Sequence, residues 1–315
     1  MRRRTVLVLG ALALTAGCGT QAPPVQTEIS LVVPGGAGGR GDGFARALRA
    51  VIESRRWARR VTVREQGDGA AALARFVATA RSGDLMVTDP ALLGAAAIRH
   101  AVPLVSRTAP LARLAGEWEV LVAARDSSFR TFEEFAAALL RDPAGPRAAG
   151  GTAGGPEHVL YGLTALGLGA DPRLLNYASY HDRDQAVAAM LDGRAAVGVG
   201  AQRDMAPHIR AGRLRPLAVS SPERMAGLDA PTLMESGVRL VYANWSGLVG
   251  AQALSERRHD GLARLCRAIA DSPVWSRLCA RNGWVPMYLD GDDFRRWLAN
   301  EARRTSRVLE ELGMP

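Results

Sequence analysis

The sequence predicts an α/β fold, because short apolar strands alternate with amphipathic helices along the chain. Residues 29–33 form an apolar run of strand length, residues 44–53 follow with apolar side chains at helical spacing, and residues 61–63 form a second short strand. A strand, a helix and another strand in this order make a β-α-β unit with a right-handed crossover. The alternation therefore predicts a parallel sheet covered by helices.

The later elements have their own local signals. The next predicted elements are a helix at 70–80 and strands at 85–87 and 118–123. Thr131 and Glu134 are spaced as a capping box, which predicts a helix from there to residue 140. Pro156, a residue favoured in the first turn, begins a predicted helix that ends near residue 166. The remaining predictions are a helix at 184–191, strands at 196–199 and 217–220, and helices at 257–270, 274–281 and 292–312.

The first residues predict export. Arginines at positions 2–4 precede an apolar run at 6–16, which is too short to span a bilayer. Residues 15–18 resemble the lipobox of bacterial lipoproteins, in which the cysteine is acylated. We therefore expect a signal peptide at 1–17, a lipid anchor on Cys18 and a flexible tether at 18–27. An ordinary secretion signal with an unrelated cysteine is the alternative.

Composition narrows the possible partners. The chain has a formal net charge of +9 and a basic run at 55–60, a pattern also found in nucleic-acid-binding proteins. An exported protein rarely meets nucleic acid, so we expect a solvated helix end near anionic lipid headgroups and no nucleic-acid partner. Cys266 and Cys279 could pair outside the cytosol, and the sequence leaves that disulfide open. The histidines lack metal-ligand spacing and no catalytic motif is found, so we expect no metal, cofactor or enzymatic activity.

Two glycine-rich loops, at 34–42 and 150–155, each connect a strand to a helix. Glycine lets backbone N–H groups approach a ligand, and a helix N-terminus adds unpaired donors and the positive end of its dipole. Such a loop is suited to bind an anion. The two loops together predict a site that holds a small negatively charged ligand.

The first loop also contains G-x-G-x-x-G at Gly36, Gly38 and Gly41, followed by Glu65 near the end of the next strand. This pattern is typical of dinucleotide-binding proteins, so an NAD-type oxidoreductase is the alternative from another functional class. Three observations oppose it. Residues 34–35 separate the strand from the fingerprint, export removes the cofactor supply, and the second loop has no role in that scheme.

A series of segments points to one family. The segments are residues 31–34 with Gly38, Gly39 and Asp42, Tyr180 before the predicted helix and residues 192–193, the stretch 211–220, Arg224 with 231–237, and residues 245–248. In order and spacing they resemble the tripartite tricarboxylate transporter receptors, the Bug-type solute-binding proteins. The resemblance extends over nearly the whole mature chain.

This resemblance implies a two-domain periplasmic-binding-protein fold of the Venus-flytrap type, with two crossovers and a ligand cleft between the lobes. Residues 28–116 and 222–315 would form lobe 1, and residues 117–221 would form lobe 2. The protein would deliver a small carboxylate to a permease made of one large and one small membrane subunit. Apart from the resemblance, we expect a monomer by default. A carboxylate sensor that signals to a membrane kinase is an alternative with the same fold.

The resemblance and the loops together give the candidate ligand-binding residues. They are Gly36, Ala37, Gly38, Gly39, Arg40, Asp42, Thr88, Thr152, Ala153, Gly154, Gly155, His158 and Tyr180. We predict that the Arg40 guanidinium holds a ligand carboxylate through two parallel hydrogen bonds, and a solvent-facing Arg40 is the alternative. The aspartate that binds a ligand amino group in some family members has no match near Gly200, which favours a plain carboxylate over an amino acid.

Overall fold

The structure is a computed structural model, and it describes residues 25–36 and 38–315. The predicted signal peptide, Cys18, most of the predicted tether and Ala37 lie outside the described residues. Within the described ranges, no helix is both long enough and apolar enough to cross a bilayer. The same ranges contain no group of three His, Cys, Asp or Glu side chains that could hold a metal ion.

The described residues form ten strands and ten α-helices that alternate along much of the chain. The strands are β1 (Val25–Val33), β2 (Ala58–Glu65), β3 (Asp84–Thr88), β4 (Thr108–Ala124), β5 (Ala148–Gly150), β6 (Tyr177–Ser179), β7 (Val197–Ala201), β8 (Leu214–Val219), β9 (Ala243–Ala251) and β10 (Val285–Asp290). The helices are α1 (Arg40–Ser54), α2 (Gly69–Thr79), α3 (Pro90–Ile98), α4 (Phe132–Arg141), α5 (Pro156–Leu168), α6 (Arg183–Leu191), α7 (Gln202–Arg210), α8 (Glu256–Ala270), α9 (Pro273–Asn282) and α10 (Gly291–Glu311). Short 3₁₀ helices occupy Val102–Arg107 and Pro172–Leu174.

The strands follow the order β2-β1-β3-β9-β4-β7-β5-β6, and β8 and β10 join through β4. The long strand β4 divides this order into two sections. From Thr108 to Trp118 it pairs with β9 in the first section, and from Glu119 onward it pairs with β7 and β8 in the second section. The first section therefore contains β1, β2, β3, β9 and β10, and the second contains β5 to β8.

The sheet is mixed, which corrects the prediction of a parallel sheet. β1 pairs in parallel with β2 and β3, and β5 pairs in parallel with β6 and β7. The β3–β9, β4–β9, β4–β7, β4–β8 and β4–β10 pairs are antiparallel. The antiparallel pairs of β9 arise from the path of the chain. β4 carries the chain out of the first section, and β9 returns beside β4 in the opposite direction.

The segment after β8 packs differently from the predicted division, which placed residues 222–315 in lobe 1. Leu233 and Val238 are fully buried in one hydrophobic cluster with Phe135 and Tyr161 of the second section. The backbone fixes this placement, since the N–H of Leu233 donates to the carbonyl oxygen of Val219 at 2.9 Å. The stretch between β8 and β9 therefore packs on the second section, and the chain returns to the first section only through β9.

The two buried cysteines do not form the disulfide that the sequence left open. Cys266 on α8 and Cys279 on α9 are free thiols. Both belong to the hydrophobic core of the first section, in a cluster that also contains Trp275. Burial raises the pKa of Cys266 to about 12 and that of Cys279 to about 11, so both thiols stay protonated at neutral pH.

Candidate functional site

Both glycine loops face one cavity of about 590 Å³ between the two sections of the sheet. The first loop and the start of α1 contribute Gly36, Gly38, Gly39 and Arg40 to the wall, and the second loop contributes Gly150, Gly151, Thr152 and Gly155. Volumes of this size are usual for small-molecule sites. The N-termini of α1 and α5 both lie at this wall, and the first-turn N–H groups of any α-helix have no earlier carbonyl within the helix to bond.

An internal carboxylate holds the first loop in shape. Gly38 has a φ of +76°, a conformation that glycine adopts without strain, and its N–H donates to Oδ2 of Asp42 at 3.0 Å. The Arg46 side chain donates to the same carboxylate from Nε at 2.9 Å. The hydrogen bond from Arg46 is the main cause that holds the pKa of Asp42 below its usual range. Asp42 therefore stays ionised and is already engaged within its own helix.

Arg40 points inward, not into bulk solvent. Its side chain is 21% exposed, and Nη1 lies 3.8 Å from Oε1 of Glu117. Its Nη2 donates to the backbone oxygen of Asn244 and, at 3.4 Å, to the hydroxyl of Ser246. The solvent-facing alternative is therefore wrong for this structure. Direct contact between Arg40 and a ligand carboxylate stays a prediction.

Two aromatic side chains hold the second loop. The N–H of Gly154 donates to Nδ1 of His158 at 3.1 Å, and the His158 ring stacks on Tyr177 with centroids 4.1 Å apart. The Tyr177 hydroxyl in turn donates to the carbonyl oxygen of Gly151 at 2.9 Å. Burial lowers the pKa of His158 to about 4, so the ring is neutral at pH 7 and its Nδ1 can accept this bond.

Most of the predicted residues reach the wall. Those that line the cavity are Gly36, Gly38, Gly39, Arg40, Asp42, Thr152, Gly155 and Tyr180. Thr88, Ala153, Gly154 and His158 are not among the wall residues, and Ala37 lies outside the described ranges. Thr88 is buried at the end of β3, where it pairs with Gly247 of β9. Gly154 belongs to the second loop, and its N–H holds the loop against His158 of α5.

Sequence reasoning missed the charged residues of the wall. The additional charged side chains are Asp89, Glu117, Glu157, Arg183, Arg203 and Asp204. Asp89 caps α3 by accepting the N–H of Leu92 at 2.8 Å, and Glu117 accepts the indole N–H of Trp284 at 2.7 Å. Burial raises the pKa of both Asp89 and Glu157. Only Asp89 had a visible signal, because an aspartate directly before a proline predicts a helix start.

Behind this wall lies a fully buried glutamate, Glu119 of β4. Its Oε1 accepts the Asn244 side-chain amide at 2.9 Å, and its Oε2 has no hydrogen-bond partner among the described residues. Burial raises the pKa of Glu119 well above its usual range, and the negative charge of Glu157 raises it further. The cavity wall therefore carries the two glycine loops together with acidic side chains whose pKa values burial raises.

Residues 100–314 match the family profile described as "Tripartite tricarboxylate transporter family receptor". The chain belongs to this family. Its members are solute-binding receptors and not enzymes, so the oxidoreductase alternative is wrong. The structure agrees, since Glu65, the residue assigned to a ribose, is not in the wall and its carboxylate lies 3.5 Å from Arg46.

Known proteins resemble the receptor over almost its whole length. Protein BugT of Bordetella pertussis is 25% identical over 98% of both chains. The crystal structure of a TctC solute-binding protein from Polaromonas superimposes with a TM-score of 0.74 at 20% identity, covering 91% of this chain and 99% of that one. A Rhodopseudomonas palustris protein with adipate gives a TM-score of 0.71 at 19% identity, covering 92% and 98%. The likeness to these structures shows the periplasmic-binding-protein fold that the sequence predicted.

Proposed function

We propose that this receptor captures a small carboxylate in the cavity and delivers it to a membrane permease of the tripartite tricarboxylate type. The observation that carries the proposal is that both glycine loops, each at a helix N-terminus, face the same cavity together with Arg40. Adipate in the R. palustris relative supports a carboxylate as the ligand class. Membership in the transporter receptor family supports the permease as the partner.

We also propose that the two sections of the sheet act as the lobes that close over the ligand. The chain passes between the two sections along β4 and returns through β9, and Glu117 of β4 pairs with Asn244 of β9 where the sections meet. Both residues line the cavity. A bend in these strands would move the two glycine loops together or apart, which is a hinge closure.

A lipid anchor on Cys18 completes the proposal, with the receptor held at the extracytoplasmic face of the membrane by a short tether. The order of residues at positions 2–18 supports this anchor, since arginines come first, an apolar run follows, and small residues precede the cysteine. Cys18→Ala should then release the receptor from the membrane fraction. A receptor that stays in the membrane fraction after this substitution would contradict lipidation at Cys18.

A thermal-shift screen tests the binding proposal. The purified receptor is heated with mono-, di- and tricarboxylates, with amino acids and with NAD as a negative control. A ligand present at 100 times its Kd stabilises the folded state by about 2.7 kcal/mol, so the true ligand class should raise the Tm by several degrees. The proposal fails if no carboxylate raises the Tm, or if NAD alone does.

A further inference from the structure

A basic surface lies at the end of the first section that faces away from the cavity. Five exposed arginines form this surface, which we call the basic end: Arg55, Arg56, Arg59, Arg60 and Arg81. β1 runs parallel to β2 and β3, so the amino ends of the three strands share one edge, and the first glycine loop follows the other end of β1. The nine residues of β1 put roughly 25 Å between that loop and the basic end.

The carboxylates beside the basic end are already paired. Three acids of α1, β1 and β3 each contact an arginine at 2.7–3.0 Å, in the pairs Glu53–Arg49, Glu28–Arg59 and Asp84–Arg64. Across residues 25–36 and 38–315, no carboxylate oxygen lies within 4.0 Å of a nitrogen of the other four arginines of the basic end. The surface therefore keeps an excess of positive charge that the protein itself does not balance.

The backbone holds one of these arginines in a conformation that favours glycine. Helix α1 ends at Ser54, and Arg56 directly beyond it has a φ of +53°. Glycine is usual where a helix ends in this left-handed conformation, because a Cβ atom makes the conformation less favourable. The turn is nevertheless fixed, since the N–H of Trp57 donates to the carbonyl oxygen of Ile52 at 3.0 Å and the Trp57 side chain packs on the hydrophobic core. An arginine at such a position indicates a role for its charge.

The proposed lipid anchor joins the protein at the same end. Val25, the first residue of β1, pairs with Ala58 in the middle of the basic run. Val25 is the seventh residue after Cys18, and seven residues span at most about 25 Å. An acylated Cys18 would therefore keep the basic end within about 25 Å of the membrane, with the cavity on the far side of the first section.

We propose that the basic end rests on anionic phospholipid headgroups of the membrane, and that this contact directs the cavity away from the bilayer. The guanidinium group of arginine binds phosphate oxygens through parallel hydrogen bonds. Each arginine close to an anionic surface strengthens binding by roughly fivefold. The orientation rests on the proposed anchor at Cys18, whereas lipid binding by the basic end does not.

Vesicle binding tests the inference on the purified full chain with Cys18→Ala, so that no acyl chain contributes. Sedimentation compares vesicles of mixed phosphatidylglycerol and phosphatidylcholine with vesicles of phosphatidylcholine alone, at low and at high salt. The test variant adds Arg56→Gly, which also removes the unfavourable backbone conformation, and Arg60→Gln. The matched control adds Arg173→Gln and Arg239→Gln instead, which removes the same charge from exposed positions beside the core of the second section.

We expect the parent chain to bind the mixed vesicles at low salt and to leave them at about 1 M salt, where the screening length falls to about 3 Å. It should not bind phosphatidylcholine alone. The test variant should bind the mixed vesicles roughly 10- to 30-fold more weakly than the parent chain, and the control should stay within about twofold. Urea denaturation should show the test variant to be no less stable than the parent chain, because glycine suits the turn after α1.

Four results would overturn the inference. They are no binding to the mixed vesicles, equal losses in the test and control variants, equal binding to phosphatidylcholine alone, and tighter binding to a duplex oligonucleotide than to the mixed vesicles. The last result would assign the basic end to nucleic acid. Failure of the anchor is seen separately, because a lipid anchor holds the wild-type receptor in the membrane fraction through a high-salt wash that removes an electrostatic contact.

Discussion

Helix α3 touches the second glycine loop so closely that a single methyl group should disturb the site. A Cβ atom at Gly94 of α3 would overlap the carbonyl oxygen of Gly154 and lie 3.0 Å from its carbonyl carbon. Gly94 lies on α3, whose Leu92 and Leu93 pack on the first section, and Gly154 follows β5 of the second section, so the contact joins the two sections. In Gly94→Ala the helix and the loop must separate by roughly 1 Å to restore ordinary contact.

The magnitude follows from two opposing effects. Alanine in place of glycine inside a helix stabilises the folded state by about 0.5–1 kcal/mol. Overpacking of a close contact costs about 1–3 kcal/mol. The control is Gly261→Ala in α8, where an added Cβ meets nothing within 4 Å and only the stabilising effect acts. Gly94→Ala should therefore be less favourable than the control by about 1–3 kcal/mol.

The assay must measure stability and affinity, because the clash can be relieved in two ways. If the loop shifts in the folded receptor, urea denaturation will show the loss of stability relative to Gly261→Ala. If the two sections open instead, stability will match the control, and the ligand that gives the largest thermal shift will bind about 5- to 150-fold more weakly. A Gly94→Ala variant that matches Gly261→Ala in both measurements would refute the close contact between α3 and the second loop.

Three further results are expected. Arg40→Ala should weaken ligand binding by about 1.5–3 kcal/mol in calorimetry, and an unchanged Kd would remove Arg40 from the site. Because the pKa of His158 falls from 6.5 to about 4 on folding, the unfolded state binds more protons between these values, so stability drops by up to about 3 kcal/mol as pH falls from 6.5 to 4. His158→Phe keeps the stacking on Tyr177 and should lack this part of the slope in urea titrations at several pH values, whereas an identical slope would exclude His158 as its source. Cys266 and Cys279 should react with a thiol reagent only after unfolding, since both are buried, and rapid labelling of the native receptor would contradict their core position.

Local sequence signals correctly predicted the helices whose apolar residues recur at helical spacing or that begin at a clear capping residue. The helix predicted at 292–312 is α10 (Gly291–Glu311), and Thr131 caps α4 by accepting the N–H of Glu134 at 3.3 Å. Helix α3 was missed because it is apolar on nearly all sides, so no amphipathic period marks it. β9 was missed as well, because its alternation is broken by glycine at positions 247 and 250.

The candidate site likewise contains residues that local sequence signals reveal and residues that they do not. The two loops and Arg40 are contiguous with helix starts, so local chemistry was enough to find them. The wall acids are not contiguous, since Asp89, Glu117, Glu157 and Asp204 follow or belong to different elements. The fold brings these four acids together at one cavity, and their spacing in the sequence does not predict this proximity.

The continuity of β4 limits how this protein can be dissected. Its 17 residues begin in one half of the molecule and end in the other, so any cut between the halves severs a strand that is paired along its whole length. A recombinant fragment starting near Glu117 would contain β9 without the part of β4 that pairs with it, which leaves an open edge prone to aggregation, and a fragment ending near Glu117 would lack β9 altogether. Biosensor designs should therefore place fluorescent labels on surface loops of the intact chain and should not rely on separately produced halves.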